Sequence, residues 1–357
     1  MDFIVVTTAT KIDPSDETKQ RVDMAMYRVE SAPTEKEEAA NWGAVDMSME
    51  CKPEEVADDP FDDDAEDFQP TSIERRANLG QIASYTALVF AKQQRTHHFS
   101  VIFLGRMARL IRWDRAGAVA TRKFDYTAEP EKLGRFFWRY IRLSDAQRGH
   151  DPTVTRILTT DPEFRLMQER AEKPILVEEG EKKFEIGQHA RLLFRKSLKS
   201  SKDWYKVRVG EEKRHFLVGA PHFIATALAG RGTRGYVAID CADPYGPFVY
   251  LKDAWRVAHD SIEQEGTILA YLNDEKTGKV DRIPTLVCHG DVDDQVTDSQ
   301  NVWKTLNPDA LKCPLKTHRH YRLVVKEVGL SMDKIESAEE LVYLIANCIG
   351  GKPPHVS

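Results

Sequence analysis

No run of apolar residues in this chain approaches the roughly 20 needed to span a bilayer. The opening Met1-Asp-Phe-Ile-Val-Val-Thr7 also lacks the basic flank and the length of a secretory signal. These absences point to an intracellular protein, cytoplasmic or nuclear, with no membrane partner. Cysteine is scarce: five residues, at 51, 241, 288, 313 and 348, odd in number and free of Cys-x-x-Cys spacing. That pattern excludes a disulfide framework and a structural zinc site. No internal repeat is present, and no low-complexity segment beyond one acidic block.

With 357 residues, 41% of them hydrophobic, the chain can build two domains of ordinary size. The net charge of −6 is unevenly placed. Residues 54–67 carry nine acids and no base, while the remainder holds 51 basic and 48 acidic residues. The block lacks the spaced ligands and fixed glycine of an EF-hand loop. It reads as a solvated loop or flexible insertion, and its charge disfavours nucleic acid as a partner.

Patterning divides the chain. Residues 1–150 alternate strand-like and helix-like stretches and read as an α/β domain with the acidic insertion at 54–70. Arg21–Tyr27 and Gly43–Cys51 alternate apolar and polar residues and predict strands, and Ile73–Lys92 predicts a helix. Phe99–Leu104 and Ala108–Trp113 predict strands joined by a turn at Gly105-Arg106, and Pro130–Leu143 an aromatic-rich helix. Residues 151–203 are mixed and polar and read as a helical connector. From Trp204 the chain becomes strand-rich, defining a third region at 204–350. Residues 351–357 form a tail in which Pro353-Pro354 breaks any helix.

In the strand-rich region lies Gly230-Arg-Gly-Thr-Arg-Gly235, followed seventeen residues after Gly235 by Lys252 and thirteen later by Glu265. A dinucleotide-binding unit requires a helix directly after the third glycine. Here Tyr236-Val-Ala-Ile-Asp240 reads as a strand, Asp243-Pro-Tyr-Gly246 as a turn and Phe248-Val-Tyr-Leu251 as a second strand. Asp260–Leu272 reads as a helix with Ile268, Leu269 and Leu272 on one face. Glycine loop, strand lysine and helix glutamate, in that order, are the nucleotide-gripping parts of a protein kinase. Gly230, Gly232, Gly235 and Val237 would cover a nucleotide, Lys252 would meet its phosphates, and Glu265 would hold the lysine. Glu263 competes for the holding role, and a solvated helix carboxylate is the plainer alternative.

The chain resembles the fungal-type protein kinases in Ala229-Gly-Arg-Gly-Thr-Arg-Gly-Tyr-Val-Ala238, Phe248-Val-Tyr-Leu-Lys-Asp-Ala-Trp-Arg256 and Ile283-Pro-Thr-Leu-Val-Cys-His-Gly-Asp-Val292. Leu79-Gly-Gln-Ile-Ala-Ser-Tyr85, Arg95–Val101 and Ala108–Arg115 extend the resemblance upstream. It implies an α+β kinase N-lobe over 204–350, a serine/threonine-type activity, and ATP with Mg²⁺ as cofactor. The catalytic His-Arg-Asp and metal-binding Asp-Phe-Gly that the family implies after Ser337-Ala-Glu-Glu-Leu341 are not found; Asn347–Ser357 stands there instead. The expectation is therefore a pseudokinase truncated before its C-lobe, unable to phosphorylate on its own, with a protein partner at the face left by the missing lobe. His318-Arg-His320 lacks an aspartate, and His289-Gly-Asp291 lacks the asparagine expected five residues later, where Val296 stands. Tyr250 occupies the place of the small residue that faces adenine, so a phenol would fill part of the pocket.

A second constellation lies upstream. Asp23 in one strand, Glu50-Cys-Lys52 in the next, and Gln81 and Tyr85 one helical turn apart resemble the restriction-endonuclease-like fold. In that resemblance Asp23 and Glu50 would hold a divalent metal and Lys52 would position a water at a phosphodiester. Glu50 and Lys52 share a strand face, as such a site requires. The alternative functions are thus a metal-dependent nuclease with a degenerate kinase appendage, and a non-catalytic interaction protein.

Overall fold

A computed structural model describes every residue except 1, 15, 34–39, 66–67, 180–181, 201–202, 278–279, 336 and 350–357. The tail at 351–357 lies outside the described residues. The chain divides into two compact units: Met1–Pro152 with Thr226–Gly232 and Thr297–His318, and Thr153–Ala225 with Thr233–Val296 and Arg319–Ser357. The architecture is mixed α and β.

The first unit opens with β1 (Phe3–Thr7), β2 (Met24–Arg28) and β3 (Met47–Lys52), each antiparallel to the one before. Next comes α1 (Ile73–Lys92), whose N-cap Ser72 accepts the Arg75 N–H. Its buried residues Ile82, Tyr85, Thr86, Val89 and Phe90 recur at three- and four-residue intervals, which places one stripe against the sheet. A helix of this length is the crossover that lets β4 (His98–Leu104) run parallel to β3. Then β5 (Met107–Asp114), β6 (Gly117–Ala120) and β7 (Phe124–Asp125) complete a seven-stranded sheet of order 1-2-3-4-5-6, with β7 also paired to β5. The helix α2 (Pro130–Tyr140) follows, and buried Tyr140 packs beside Met47, Met49 and Val101.

The acidic block differs from the flexible loop expected. Asp59 is buried, Phe61 joins the core with Ile82, Phe90 and Ile111, and both are tied to Arg109. A buried guanidinium draws Asp59 and Asp63 inward, while Glu54 and Asp64 stay exposed.

The second unit contains β8 (Val154–Ile157), α3 (Pro162–Glu172), a hairpin of β9 (Ile175–Glu179) and β10 (Lys182–Ile186), and α4 (Gln188–Lys199). It continues with β11 (Trp204–Val209), β12 (Arg214–Val218), β13 (Phe223–Ile224), β14 (Arg234–Asp240), β15 (Val249–Val257) and α5 (Glu265–Asn273). After β16 (Leu286–Val296) the chain passes through α6 (Ser299–Leu306) of the first unit and returns as β17 (His318–Val325), then α7 (Ala338–Ile349). The eight-stranded sheet has the order 16-17-15-14-12-11-8, with β13 on β14.

Every residue of β14 is buried, because both of its faces are covered. Val237 and Ile239 pack with Met167 of α3 and Phe194 of α4, while Tyr236 and Ala238 pack with Val207, Phe216 and Leu251. Residues 153–199 thus supply an edge strand and the two helices that cover one face of this sheet, where the sequence suggests only a connector.

Candidate functional site

Lys252 lies on β15 opposite Gly235 of β14, and Tyr250 lies opposite Val237. Glu265 is the first residue of α5, in the turn where a carboxylate is favoured by the helix dipole. Its position depends on Gly266. A Cβ there would stand 2.0 Å from the His289 ring, so only glycine lets the helix start seat against β16. The Gly266 N–H donates to the Tyr321 hydroxyl at 2.8 Å, and Leu269 packs on Tyr321, Leu323 and Val325. With α5 so anchored, Lys252 Nζ donates to Glu265 Oε2 at 2.5 Å. The two side chains are 29% and 50% exposed, so the pair is open to solvent. Glu263 lies ahead of the helix and is exposed.

Tyr250 crowds the same strands. Its hydroxyl stands 2.2 Å from where a Cβ on Gly235 would be, and His222 meets its ring edge-on at 5.4 Å. Burial, helped by the Glu265 charge, raises the phenol's pKa, so it stays neutral. Val237 is buried in the core with Met167 and Phe194.

The remaining glycines group with the first unit. Gly230 and Gly232 have φ of +103° and +48°, conformations that glycine adopts without a Cβ penalty. The Gly230 N–H donates to the Arg115 carbonyl at 2.8 Å, and Arg115 Nη1 donates to the Ala227 and Leu228 carbonyls at 3.1 and 3.0 Å.

Neither substitute for a catalytic loop presents a usable carboxylate. Asp291 receives two bonds from Arg256, at 2.7 and 2.6 Å. His320 bonds the buried Asp253, which also pairs with Arg234 and Arg322. Burial would raise the Asp253 carboxyl, but the His320, Arg234 and Arg322 charges hold it well below the usual range. This cluster fastens β14, β15 and β17 together, and nothing in local sequence signals it.

In the first unit, the residues singled out upstream form one hydrogen-bonded group. Asp23 sits just before β2 and accepts the Cys51 N–H at 2.8 Å. Glu50, 4% exposed, receives the Lys52 ammonium at 3.0 Å and the Gln81 amide at 2.9 Å on Oε1. Gln81 in turn accepts from Lys52 at 2.9 Å and donates to the Tyr85 hydroxyl at 2.6 Å. Among the described residues none bonds the buried Glu50 Oε2. Burial raises the Glu50 pKa, Lys52 works against that, and the neighbouring Asp23 charge adds to it. Among the described residues no group of three or more His, Cys, Asp or Glu is arranged to hold a metal, so an ion here would rest on two carboxylates.

The family model for fungal protein kinases matches residues 65–353, most of the chain. The chain belongs to the fungal protein kinase family. No curated protein and no solved structure matches it. No described helix is long and apolar enough to cross a membrane.

Proposed function

We propose that this fungal protein kinase family member binds a nucleoside triphosphate through Lys252, held by Glu265. The observation that carries the proposal is the 2.5 Å Lys252–Glu265 pair, exposed on one side and fixed by Gly266 on the other. An ammonium held by a carboxylate is preset to meet α- and β-phosphate oxygens. Mg²⁺ would enter on the phosphates, since these residues offer it no ligand cluster of their own. The chain contains neither His-Arg-Asp nor Asp-Phe-Gly, so the reading is a pseudokinase-like grip without transfer by these residues alone. Calorimetric titration of the full chain with MgATP tests it. Saturable heat that disappears in Lys252→Ala is expected; absence of heat in the wild type overturns it. A protein partner would find apolar surface on α7, where Val342, Tyr343, Leu344 and Ile345 are exposed.

A second reading is favoured by the assembled Asp23, Glu50, Lys52 group: divalent-metal-dependent cleavage of a phosphodiester. It draws support from the unpartnered Glu50 oxygen beside Asp23 and from the crossover α1, which brings Gln81 and Tyr85 to the strand bearing Glu50. Mg²⁺ commonly binds one or two carboxylates and keeps several waters, one of which it acidifies. Lys52 would orient that water or the phosphate. Incubation of supercoiled and single-stranded DNA with Mg²⁺ or Mn²⁺ decides the matter: cleavage that Glu50→Gln abolishes supports it, and no cleavage by the wild type ends it.

A further inference from the structure

We propose that the groove beside α2 is a docking site for an acidic peptide that inserts one large apolar side chain, a function separate from nucleotide binding. In a chain of net charge −6, residues 130–143 carry four cations, Lys132, Arg135, Arg139 and Arg142, against one acid, Glu131. Spacings of three and four residues place the cations on a single helical stripe, and all four are exposed. Lys132 is answered by Glu129 at 2.6 Å, and Arg142 lies over the Trp138 ring at 4.1 Å. Among the described residues no carboxylate pairs with Arg135 or Arg139.

Next to this stripe lies a depression of about 240 Å³, walled by Phe99 of β4, Leu110 of β5, Phe136 and Leu143, each half-buried. Among the described residues its charged lining is Lys132, Arg135 and Arg139, all of one sign. The depression is preformed. Buried Tyr140 also lines it, and its hydroxyl donates to the Asp46 carbonyl at 2.9 Å. The Tyr140 ring meets Phe99 edge-on at 5.6 Å, and Phe136 meets Phe99 at 6.4 Å. Rings locked against one another hold the space open, so an entering group does not have to organise it.

A cavity of about 150 Å³ already admits a benzene ring, so this one takes a single phenylalanine- or leucine-sized side chain. Carboxylates flanking that side chain would meet Arg135 and Arg139, whose planar forks bond carboxylate oxygens in pairs. Exposed Trp138 and Arg142 continue the helix surface past Arg135, farther than a free ligand of ring size extends. That extent favours a peptide. A bilayer would take up an apolar face that stands proud of its surroundings, whereas Leu133, Phe136 and Phe137 are packed on the sheet.

The test uses the full chain and a fluorescein-labelled peptide in which one phenylalanine stands between runs of glutamate, read by fluorescence anisotropy. Saturable binding is expected, and a peptide with alanine in place of the phenylalanine should bind at least about tenfold more weakly. That comparison needs no variant of the protein, so it does not depend on any variant folding. Arg135→Glu combined with Arg139→Glu alters two exposed side chains and leaves the walls intact; it should weaken binding at least about tenfold. No binding by the wild type overturns the proposal. Equal binding of the alanine peptide overturns it as well, because charge alone would then be at work. Undiminished binding by the doubly reversed chain overturns it by placing the peptide elsewhere. Tighter binding of a single-stranded oligonucleotide, or co-sedimentation with phosphatidylserine vesicles that the reversal abolishes, assigns the stripe to nucleic acid or membrane and overturns it too.

Discussion

Arg109 donates through Nε and Nη2 to the two carboxylate oxygens of Asp59, at 2.8 and 2.6 Å, and neither side chain has meaningful exposure. Asp63 takes two further bonds from the same guanidinium, and the Phe61 and Phe68 rings lie within 6 Å of it. The buried Arg109 of β5, with Arg75 and Lys123 beside it, gathers Asp59, Asp62 and Asp63 of the acidic stretch.

Removing one partner of a buried pair leaves an uncompensated charge, typically costing about 3–5 kcal/mol. Asp59→Ala is therefore expected to destabilise the first unit by an amount in that range, read as a lower denaturant midpoint. Asp63→Ala, whose carboxylate is partly exposed, should cost much less. Equal effects would mean that the block is held by its apolar residues and not by Arg109.

The Lys252–Glu265 pair should behave in the reverse way. Exposed ion pairs contribute about 0–1 kcal/mol. Lys252→Ala and Glu265→Gln should leave the denaturant midpoint almost unchanged while removing MgATP binding. A large loss of stability in Glu265→Gln would assign the residue to the helix start of α5 instead.

What could be read from sequence followed the range of each interaction. The helix Ile73–Lys92 was legible because its apolar stripe and Ser72 cap are local, and Lys252 and Glu265 were legible because strand, turn and helix signals separate them. The expected helix start at Asp260 was early: the chain enters α5 only at Glu265, where Gly266 can seat against His289. Arg109 with Asp59 and Asp253 with Arg322 were invisible. Their partners lie 50 and 69 residues apart, and a buried arginine has no signature distinct from an exposed one. The same holds for α3 and α4, whose polar composition concealed the single face that covers β14.

Acid should weaken the first unit above the carboxylate range. Burial, with the Arg112 charge second, lowers the His97 pKa to about 4, and burial holds His98 well below its ordinary value. In the unfolded chain both titrate near 6.5. Between pH 6.5 and 4 the unfolded state therefore binds more protons, so stability is complete above about 6.5 and falls as pH drops toward 4. Denaturation midpoints measured across that window should slope downward toward acid, and His97→Gln should flatten the slope. A flat wild-type profile would contradict the neutral state of half-buried His97 and buried His98.

Glu50 supplies the last prediction, because Lys52 bonds only one oxygen of this buried carboxylate. One of its oxygens is satisfied by Lys52 and Gln81, and the other is buried without a partner near Asp23. If a divalent ion binds there, it stabilises the folded state by mass action, by about 2.7 kcal/mol when its concentration is a hundred times the dissociation constant. Mn²⁺ or Mg²⁺ should then raise the melting temperature of the wild type in a saturable way, with or without any nuclease turnover. Glu50→Gln keeps the shape and removes the charge, so it should melt higher than the ion-free wild type and ignore the ion. An ion-dependent shift that persists in Glu50→Gln would locate the ion elsewhere, and an ion-free Glu50→Gln protein less stable than wild type would show that the Lys52 pairing outweighs the cost of burying the charge.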